Sequence, residues 1–501
     1  PVTLELLVGY SEATQSPNFE ENAFTLYYTD LTNVQFEFDA TPSGQLDEKR
    51  NLVLASGDYP DVMMNMGLTI AQAYQLGDNG VVHDLGPAID EYTSNLQDVF
   101  AQEPWVQGQM TSPSGGRYFL PWINSGCFHC EYSQRVYVYQ PWLDELGLDR
   151  PETAEEFEEM LVAFAEQDPN GNGEADEIPM MGAATGWRPE IFGWLMNAFT
   201  YTNPEASPYL RWADGSVEFV ANTEEWKDGL RYMNSLYDQG LIAPESFVQS
   251  DSQMKVFGEA DDPVVGVFTG GHLGMFTALN SDSNRWLEYQ PLAPVAGPNG
   301  HRSAAHFPHQ VGAHMVVFQS VEQPEIMVRW ADWFYTFDGF MRGVKGWEEG
   351  VHFRKLDADS GLAGLTGNPA IYEVFEDAQS GFAENVSLGW ENSTVRYWNR
   401  EFFEGQATTG RQTQGPILIA AADEYSQYDT GEAMPVVIFP PDVAPEIAEL
   451  EATIKDTVKN FVARFVTGEM DIDDGWDAYV RELNNLGVER YVELYDEYAV
   501  K

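Results

Sequence analysis

Basic residues are scarce in this sequence. It contains eight lysines and eighteen arginines among 501 residues, against 80 aspartates and glutamates, and its formal net charge is −54 at pH 7. A chain this acidic repels nucleic-acid phosphates and anionic lipid headgroups. We therefore expect no nucleic-acid partner and no direct docking onto a membrane surface.

Long apolar runs and catalytic signatures are absent too. No stretch approaches the roughly 18 consecutive apolar residues of a membrane-spanning helix. The sequence has no G-x-S-x-G elbow, H-E-x-x-H helix or Walker loop, and Gly270-Gly271-His272 lacks the Lys and Ser of a phosphate loop. With 80 carboxylates, spacing alone cannot identify an acid/base pair for glycoside hydrolysis. We expect that the protein is not an enzyme.

Only two cysteines occur, in the unit Cys127-Phe128-His129-Cys130. This spacing is compatible with a local disulfide, with two free thiols, or with a redox or metal site. No second cysteine pair is present to complete a tetrahedral zinc site, and Arg135 to Tyr139 has the pattern of a strand rather than of the helix that a redox motif precedes. We favour the local disulfide, which suits an exported protein.

The chain is long enough for two or three domains, and 43% of its residues are hydrophobic. Alternating apolar residues from Val2 to Val8, followed by helical and strand-like segments in turn, predict an α/β domain with a largely parallel sheet. A second, more helical domain is expected from about Arg135 onward. We predict an α/β fold of two lobes joined by several crossings, with a ligand cleft between them. The approximate boundaries are residues 1–135 plus 262–325 for the N-terminal lobe and 136–261 plus 326–501 for the C-terminal lobe.

A loop with the pattern D-x-N-x-N-G follows a helix that a Thr153-x-x-Glu156 capping box begins. Such a loop places oxygen atoms on alternate residues, as hard cations require, and Gly173 permits its sharp turn. An EF-hand would end in Glu at position twelve, where this chain has Pro179, but adjacent acidic residues supply late carboxylates. We predict a structural calcium site and not merely a polar turn, with the ligands Asp168, Asn170, Asn172, Glu174 (through its carbonyl), Asp176 and Glu177.

Aromatic residues are abundant, including 14 Trp and 24 Tyr, and several lie in polar or Gly-rich contexts. Sugar rings pack their C–H faces on aromatic rings, while neighbouring polar side chains bind the hydroxyl groups. For any one tryptophan, packing within a lobe is the simpler interpretation, yet we expect at least two to line a ligand site. The candidate ligand-binding residues are Tyr10, Trp122, Trp187, His272, Trp390, Asn392, Arg396 and Trp398.

Four segments resemble the extracellular solute-binding proteins of carbohydrate ABC importers, in particular the lipoprotein-type members that include alginate-oligosaccharide binders. The segment from Leu54 to Val62 resembles the family's "ASGDxPD" segment, and Trp142 to Leu148, followed by Pro151, Thr153 and Phe157, is similar to its "WLDKLGL" segment. The calcium loop follows at the family's interval, and Leu236 to Ile242 looks like its "LYxEGLI" helix end. These matches span about residues 50 to 250.

The resemblance implies a periplasmic-binding-protein-like fold that closes around an oligosaccharide and delivers it to permease subunits of an ABC importer. It also implies a monomer with a calcium ion in the loop, located at the cell surface through an N-terminal lipid anchor, or in the periplasm in a Gram-negative source. Members are usually anchored through an N-terminal cysteine, which this chain lacks, so we expect it to begin after that residue.

The acidic composition favours a neutral oligosaccharide over an alginate-like uronate, although Arg117, Arg188 and Arg396 lie near candidate aromatics in the sequence. Two alternative functions remain open. One is a glycoside-active enzyme with a carboxylate pair, and the other is a binder of a non-sugar solute such as a peptide.

Overall fold

A computed structural model describes residues 2–10, 18–279, 284–375, 390, 393–407, 414–440 and 442–499. None of the helices within these ranges is both long enough and apolar enough to cross a membrane.

The strands, in chain order, are β1 Val2–Tyr10, β2 Val34–Pro42, β3 Val62–Met64, β4 Leu120–Asn124, β5 Arg135–Tyr139, β6 Ile178–Met181, β7 Leu210–Ala213, β8 Ser216–Phe219, β9 Val265–Gly270, β10 Tyr289–Leu292, β11 Val311–Val317, β12 Phe353–Lys355, β13 Tyr372–Val374 and β14 Arg396–Trp398. The α-helices are α1 Ala23–Thr32, α2 Leu46–Ser56, α3 Ile70–Asp78, α4 Gly86–Tyr92, α5 Asn95–Gln102, α6 Pro104–Met110, α7 Phe128–Glu131, α8 Gln140–Leu146, α9 Ala154–Glu166, α10 Ile191–Leu195, α11 Glu224–Asp238, α12 Asp251–Gly258, α13 Glu325–Asp332, α14 Phe337–Phe340, α15 Arg400–Glu404, α16 Gly415–Ser426, α17 Ala444–Val466, α18 Ile472–Leu486 and α19 Val488–Tyr498. Short 3₁₀ helices span Ser43–Gln45, Met196–Ala198, Pro244–Phe247, Leu273–Met275, Arg285–Leu287 and Trp333–Tyr335, and a π-helical turn spans Met341–Lys345.

The chain divides into two compact units. Unit 1 comprises residues 1–127, 309–411 and 438–444, and unit 2 comprises residues 128–308, 412–437 and 445–501. The units differ most from the predicted lobes at two places, because residues 262–308 belong to unit 2 and residues 326–411 to unit 1. The shorter segments 128–135, in unit 2, and 438–444, in unit 1, differ as well. Strand pairing explains the two longer differences: β9 and β10 pair with β5 in unit 2, whereas β14 pairs with β4 in unit 1.

Unit 1 is built on a six-stranded sheet with the order β14-β4-β11-β3-β1-β2. Strands β1, β2 and β3 run parallel to one another, β14 runs parallel to β4, and β11 is antiparallel to both β3 and β4. Five strands therefore have their carboxyl ends at the same edge of the sheet. In open α/β sheets this is the edge at which ligands bind.

Unit 2 contains a four-stranded sheet with the order β10-β5-β9-β6, in which β6 and β9 are parallel and β5 is antiparallel to its two neighbours. A separate hairpin joins β7 to β8 through Asp214 and Gly215, both of which have positive φ. This Asp-Gly pair is typical of a two-residue turn whose twist matches the strands.

Local sequence signals explain several helix starts. The side chain of Asn22 accepts hydrogen bonds from the backbone N–H groups at the start of α1, and Thr153 and Glu156 form the predicted capping box at the start of α9. Thr223 caps α11 in the same way. Each of these side chains satisfies backbone donors that the first helical turn would otherwise leave without a partner.

Both cysteines are disulfide-bonded, which confirms the favoured interpretation of the Cys127 and Cys130 pair. Their sulfur atoms therefore offer no thiolate for redox chemistry or metal binding in this state.

Candidate functional site

Three candidate residues of unit 1 meet on neighbouring strands. Trp122 of β4 lies directly opposite Arg396 of β14, and the guanidinium carbon of Arg396 is 5.1 Å from the centre of the Trp122 ring and 5.5 Å from that of Trp398. His314 of β11 stacks beside Trp122, with ring centres 6.5 Å apart. We call Trp122, His314, Arg396 and Trp398 the unit 1 cluster.

The members of this cluster differ in exposure. Trp122 and His314 are partly exposed, whereas Trp398 and Arg396 are buried. The residue of β11 opposite Trp122 is Gly312, which has no side chain to cover the ring. Trp122, in the middle of β4, is therefore the tryptophan of this cluster that keeps exposed surface.

The other unit 1 candidates lie elsewhere. Tyr10 ends β1 at the same edge but three strands from β4, or about 14 Å away at the usual strand spacing. Trp390 is only 1% exposed, packs among Phe24, Phe36 and other core aromatics, and donates its Nε1–H to the Thr25 hydroxyl. As a core residue it has no face for a ligand, so the structure corrects its prediction as a stacking residue. Asn392 lies outside the described residues.

Unit 2 brings Trp187 and His272 together at the carboxyl edge of β6 and β9. Their ring centres are 5.6 Å apart, and the edge of His129 approaches Trp187 at 6.5 Å. The backbone N–H of Gly271 donates to the carbonyl of Trp187 at 2.9 Å. A Cβ atom at Gly271 would lie 2.1 Å from the Trp187 ring, so only glycine permits this contact. We call His129, Arg135, Trp187 and His272 the unit 2 cluster.

The two histidines of the unit 2 cluster are neutral at pH 7. Burial, with a smaller effect of Arg135 and His272, lowers the pKa of His129 to about 3. Burial, with Lys255 and Arg135, lowers the pKa of His272 to about 4. A neutral imidazole has one N–H donor and one acceptor nitrogen, which is the pair of functions that a sugar hydroxyl can match.

The arginines near these clusters already have partners. Arg135 is fully buried and donates to the backbone carbonyls of Gly271, at 2.8 Å, and His129. Arg188 is paired with Glu205 and lies over the ring of Phe307, and Arg117 is paired with Asp90. The positive charges of these three arginines are therefore neutralised or turned toward backbone oxygens, whereas Arg396 lies over the Trp122 and Trp398 rings.

Sequence reasoning missed three members of the clusters: His129, Arg135 and His314. A charged residue that begins an otherwise apolar strand, as Arg135 does, signals a buried partner at that edge. The Gly270-Gly271 pair was similarly informative, because a glycine between a strand and a polar residue indicates close approach of another group.

The predicted calcium loop lies between α9 and β6. Asp168 Oδ2 accepts the Gly173 N–H at 3.0 Å, and the amide nitrogens of Asn170 and Asn172 donate to Asp176 at 3.0 and 3.1 Å. Asp168, Gly171 and Gly173 all have positive φ, which folds the loop tightly around these side chains. The structure thus brings together Asp168, Asn170, Asn172 and Asp176.

Glu177 adds a further carboxylate to this group. Its Oε1 atom is buried and has no hydrogen-bond partner among the described residues. Burial raises the pKa of Glu177, and the charges of Asp176 and Asp168 raise it further. An orphaned carboxylate oxygen beside two more carboxylates is a donor set that a hard cation stabilises, so the residues fit calcium.

Comparison with known proteins identifies relatives of this chain. The chain is 27% identical over 493 residues to the fructooligosaccharide ABC transporter substrate-binding protein FusA of Streptococcus pneumoniae serotype 4, covering 94% of this chain and 85% of FusA. It is 22% identical over 275 residues to the polygalacturonan/rhamnogalacturonan-binding protein YtcQ of Bacillus subtilis, covering 54% of this chain and 51% of YtcQ.

Solved structures share the fold over nearly the whole chain. The complex of S. pneumoniae FusA with kestose has a TM-score of 0.83 at 24% identity, and covers 99% of this chain and 98% of that one. A FusA EF-hand mutant with fructo-nystose has a TM-score of 0.81 at 23% identity, covering 99% and 98%. The alginate-binding protein AlgQ2 without calcium ion has a TM-score of 0.74 at 19% identity, covering 100% and 98%.

These neighbours establish a mixed α/β fold of the two-lobed solute-binding type. The model of the family described as bacterial extracellular solute-binding protein matches residues 12–338. Since that match spans well over half of the sequence, this chain belongs to the bacterial extracellular solute-binding protein family.

Proposed function

We propose that this protein captures a neutral oligosaccharide and delivers it to the permease of an ABC importer, without changing the sugar chemically. One observation carries the proposal. Each unit has a partly exposed tryptophan beside a histidine: Trp122 in the middle of β4 in unit 1, and Trp187 on the loop after β6 in unit 2. The relative FusA, named for fructooligosaccharides, supports the same class of ligand.

The chemistry of both clusters suits sugar rings. An aromatic face packs on the apolar C–H face of a pyranose or furanose, and the neighbouring polar groups hold its hydroxyls. In the unit 2 cluster the neutral imidazole of His272, which is partly exposed, supplies such a group. The buried polar partners fix the orientation of the aromatic side chains before the ligand arrives, which lowers the entropic cost of binding.

The state of the arginines supports a neutral ligand over a uronate. A uronate carboxylate needs a free guanidinium or ammonium group for charge-assisted pairing. Arg135 donates to backbone carbonyls, and Arg188 and Arg117 are already paired with carboxylates. A uronate would have to compete with these carboxylates, whereas a neutral sugar needs no free cation.

We propose that the protein acts outside the cell, as the family description implies, held to the membrane through a lipid and working as a monomer. The relative LipO, named as a lipoprotein, supports the anchor. Differential affinity for one conformation is then what presents the loaded protein to the permease.

Isothermal titration calorimetry with two matched series tests this function: neutral fructo-, gluco- and manno-oligosaccharides, and uronate oligosaccharides of equal length. Each sugar is analysed by chromatography after the titration. Saturable binding of a neutral series with intact sugar is the expected result.

Other outcomes would favour the alternatives. Shortened sugars after incubation would indicate a glycoside-active enzyme. Tighter binding of the uronates would contradict the argument from the arginines. If no sugar bound but a peptide library did, the scaffold would serve a different solute.

We further propose that the loop from Asp168 to Glu177 holds a structural calcium ion. The buried, unpartnered Glu177 Oε1 supports this assignment, as does the FusA relative in which an EF-hand was mutated. The ligands would be the side chains of Asp168, Asn170, Asn172, Asp176 and Glu177 and the carbonyl of Glu174. No three carboxylates of the loop have oxygens all within 4.8 Å of one another. Calcium binding would therefore draw the loop slightly inward.

A further inference from the structure

Helix α2 of unit 1 is unusually loosely packed. Of its eleven residues only Arg50 is buried, and Leu52 is 65% exposed. Arg50 anchors the helix by donating to the backbone carbonyls of Met66 and Gly67 at 3.1 and 2.7 Å. A helix that connects two parallel strands normally covers the sheet with an apolar face. Here Leu46, Val53 and Leu54 are only partly buried against the core, and the one buried side chain of the helix is that of Arg50.

A groove of about 600 Å³ separates α2 from the sheet. Its floor is formed by β1 and β2, its wall by Lys49, Leu52 and Val53 of α2, and its end by residues 58–60 of the "ASGDxPD" segment. The volume is within the range of ligand-binding pockets. The groove lies wholly within unit 1 and contains none of the candidate sugar-binding residues.

The floor of the groove carries acidic residues where a covered sheet would carry apolar ones. Glu5 and Glu37 lie directly opposite each other in the parallel register, and Asp39 follows two residues along β2. Like charges at directly opposed positions destabilise a sheet. Among the described residues, Lys49 pairs with Asp39 at 2.7 Å, but no ion pair includes Glu5, Glu37 or Asp58.

The arrangement selects for a ligand that is cationic and apolar at once. Carboxylates on the floor attract positive charge, while Leu52 and Val53 on the wall offer apolar surface. A single metal ion is a poor occupant, because the apolar side chains of Leu52 and Val53 line the groove beside the carboxylates. A second copy of this chain is also a poor occupant, because its net charge is −54.

We propose that this α2 groove is a docking site for the permease, and that it takes a permease segment bearing Lys or Arg beside leucine-like residues. The inference rests on the proposed function, which requires a membrane partner, and it assigns the surface that contacts this partner. The permease cations pair with Glu5 and Glu37, and its apolar residues cover Leu52 and Val53. Binding relieves the repulsion between the two glutamates.

Two groove variants test the proposal in cells that lack their own copy of the gene: the double variant Glu5→Lys/Glu37→Lys, and Leu52→Asp. The matched controls are Glu48→Lys, on α2 but outside the groove, and Leu31→Asp, another exposed apolar position, on α1. We expect both groove variants to reduce uptake of labelled oligosaccharide at least about tenfold, since reversed charges at an interface oppose association. Their sugar affinity, measured on purified protein, should change less than about twofold, and the controls should take up sugar normally.

Unchanged uptake in both groove variants would overturn the proposal, and so would a loss of sugar affinity that accounts for the lost uptake. A dimer of the wild-type protein that the variants abolish would assign the groove to a second copy instead.

A second measurement remains informative if the protein binds no sugar at all and the proposed function fails. An amphipathic 14-residue Leu/Lys peptide should bind the wild-type protein and not Glu5→Lys/Glu37→Lys, and salt should weaken that binding. Equal binding of a Leu/Glu peptide would overturn the assignment of a cationic partner.

Discussion

The unit 1 and unit 2 clusters both place a tryptophan beside a histidine, but different structural elements hold the two tryptophans. In unit 1, Trp122, Arg396 and Trp398 project from adjacent parallel strands, and their positions follow from the strand register. In unit 2, Trp187 lies on the loop after β6 and is held by a backbone hydrogen bond and by close contact with Gly271. The strand register of the sheet therefore positions the unit 1 cluster. The unit 2 cluster instead depends on a loop whose position requires a glycine at residue 271.

This difference identifies the unit 2 cluster as the more easily perturbed of the two. A strand-borne tryptophan keeps its place as long as the sheet is intact. A loop-borne tryptophan can be displaced by a change at the glycine, at the calcium loop before β6, or in the charge of the neighbouring histidines. Perturbations of these three features should therefore act on unit 2 and spare unit 1.

If the loop from Asp168 to Glu177 holds calcium, as proposed, removal of the ion should give the largest difference between the units. A chelator should lower the unfolding midpoint, and the loss can reach about 4 kcal/mol where free calcium exceeds the dissociation constant a thousandfold. Hydrogen exchange should quicken in β6 and leave β4 unchanged. Asp176→Asn should abolish the response to the chelator, whereas Asp149→Asn, an exposed position in the same unit, should retain it. Equal quickening in both units would contradict the comparison.

Substitution of alanine for Gly271 or Gly312 should give the second largest difference between the units. Gly271→Ala forces the Trp187 ring away from a contact of 2.1 Å, and overpacking of this kind costs about 1–3 kcal/mol. Gly312→Ala is the matched change in unit 1, where the new Cβ would lie at an ordinary 3.5 Å from Trp122. Urea unfolding should show destabilisation for the first variant and little for the second. Similar losses in both would mean that the unit 2 loop is no more dependent on its glycine than the sheet is.

Loss of the aromatic rings themselves should weaken sugar binding by about 1 kcal/mol each, or about fivefold in affinity. Trp122→Ala and Trp187→Ala are the two changes, and calorimetric titration is the measurement. Trp390→Phe serves as the control, because Trp390 lies in the core and should affect stability alone. If this control weakened binding as much as the other two, the distinction between core and site tryptophans would be wrong.

The smallest effect should be a pH dependence confined to unit 2. His129 and His272 have pKa values of about 3 and 4 in the folded protein, below the ordinary value of 6.5. As the pH falls below 6.5, the unfolded chain takes up protons that the folded chain does not, so stability falls toward pH 4. Each histidine should cost less than about 1 kcal/mol at pH 6.

His272→Asn should flatten this decline, as urea unfolding at pH 7.5 and 6 can measure. Because carboxylates titrate mainly below this range, the difference between variant and wild type isolates the histidine. An identical pH dependence in the variant would contradict the assignment.

Much of the fold could be predicted because its signals are local. The alternation of β1, the caps of α9 and α11 and the D-x-N-x-N-G loop depend on residues a few positions apart. The unit boundaries were harder, because strand pairing decides them. Val265 to Gly270 has the pattern of a buried strand in either unit, and only its pairing with β5 and β6 places it in unit 2.

The sequence predicted the types of residue that form the candidate site, but not which individual residues belong to it. Trp122 and Trp390 both lie in polar sequence contexts, yet one is partly exposed and the other is packed among core rings. Burial depends on contacts from distant parts of the chain, such as the hydrogen bond from Trp390 to Thr25 across 365 positions. Neighbouring residues in the sequence carry no information about such contacts.

The interleaving of the two units has a consequence for the order in which the protein folds. Unit 1 cannot complete its six-stranded sheet until β14 has been synthesised, about four-fifths of the way along the chain. Unit 2 cannot complete its fold until its last three helices have been synthesised. An emerging chain would expose the unpaired edge of β4 throughout that interval, a state prone to aggregation. If the protein is exported, as proposed, this delay keeps either unit from folding completely before the whole chain has been synthesised.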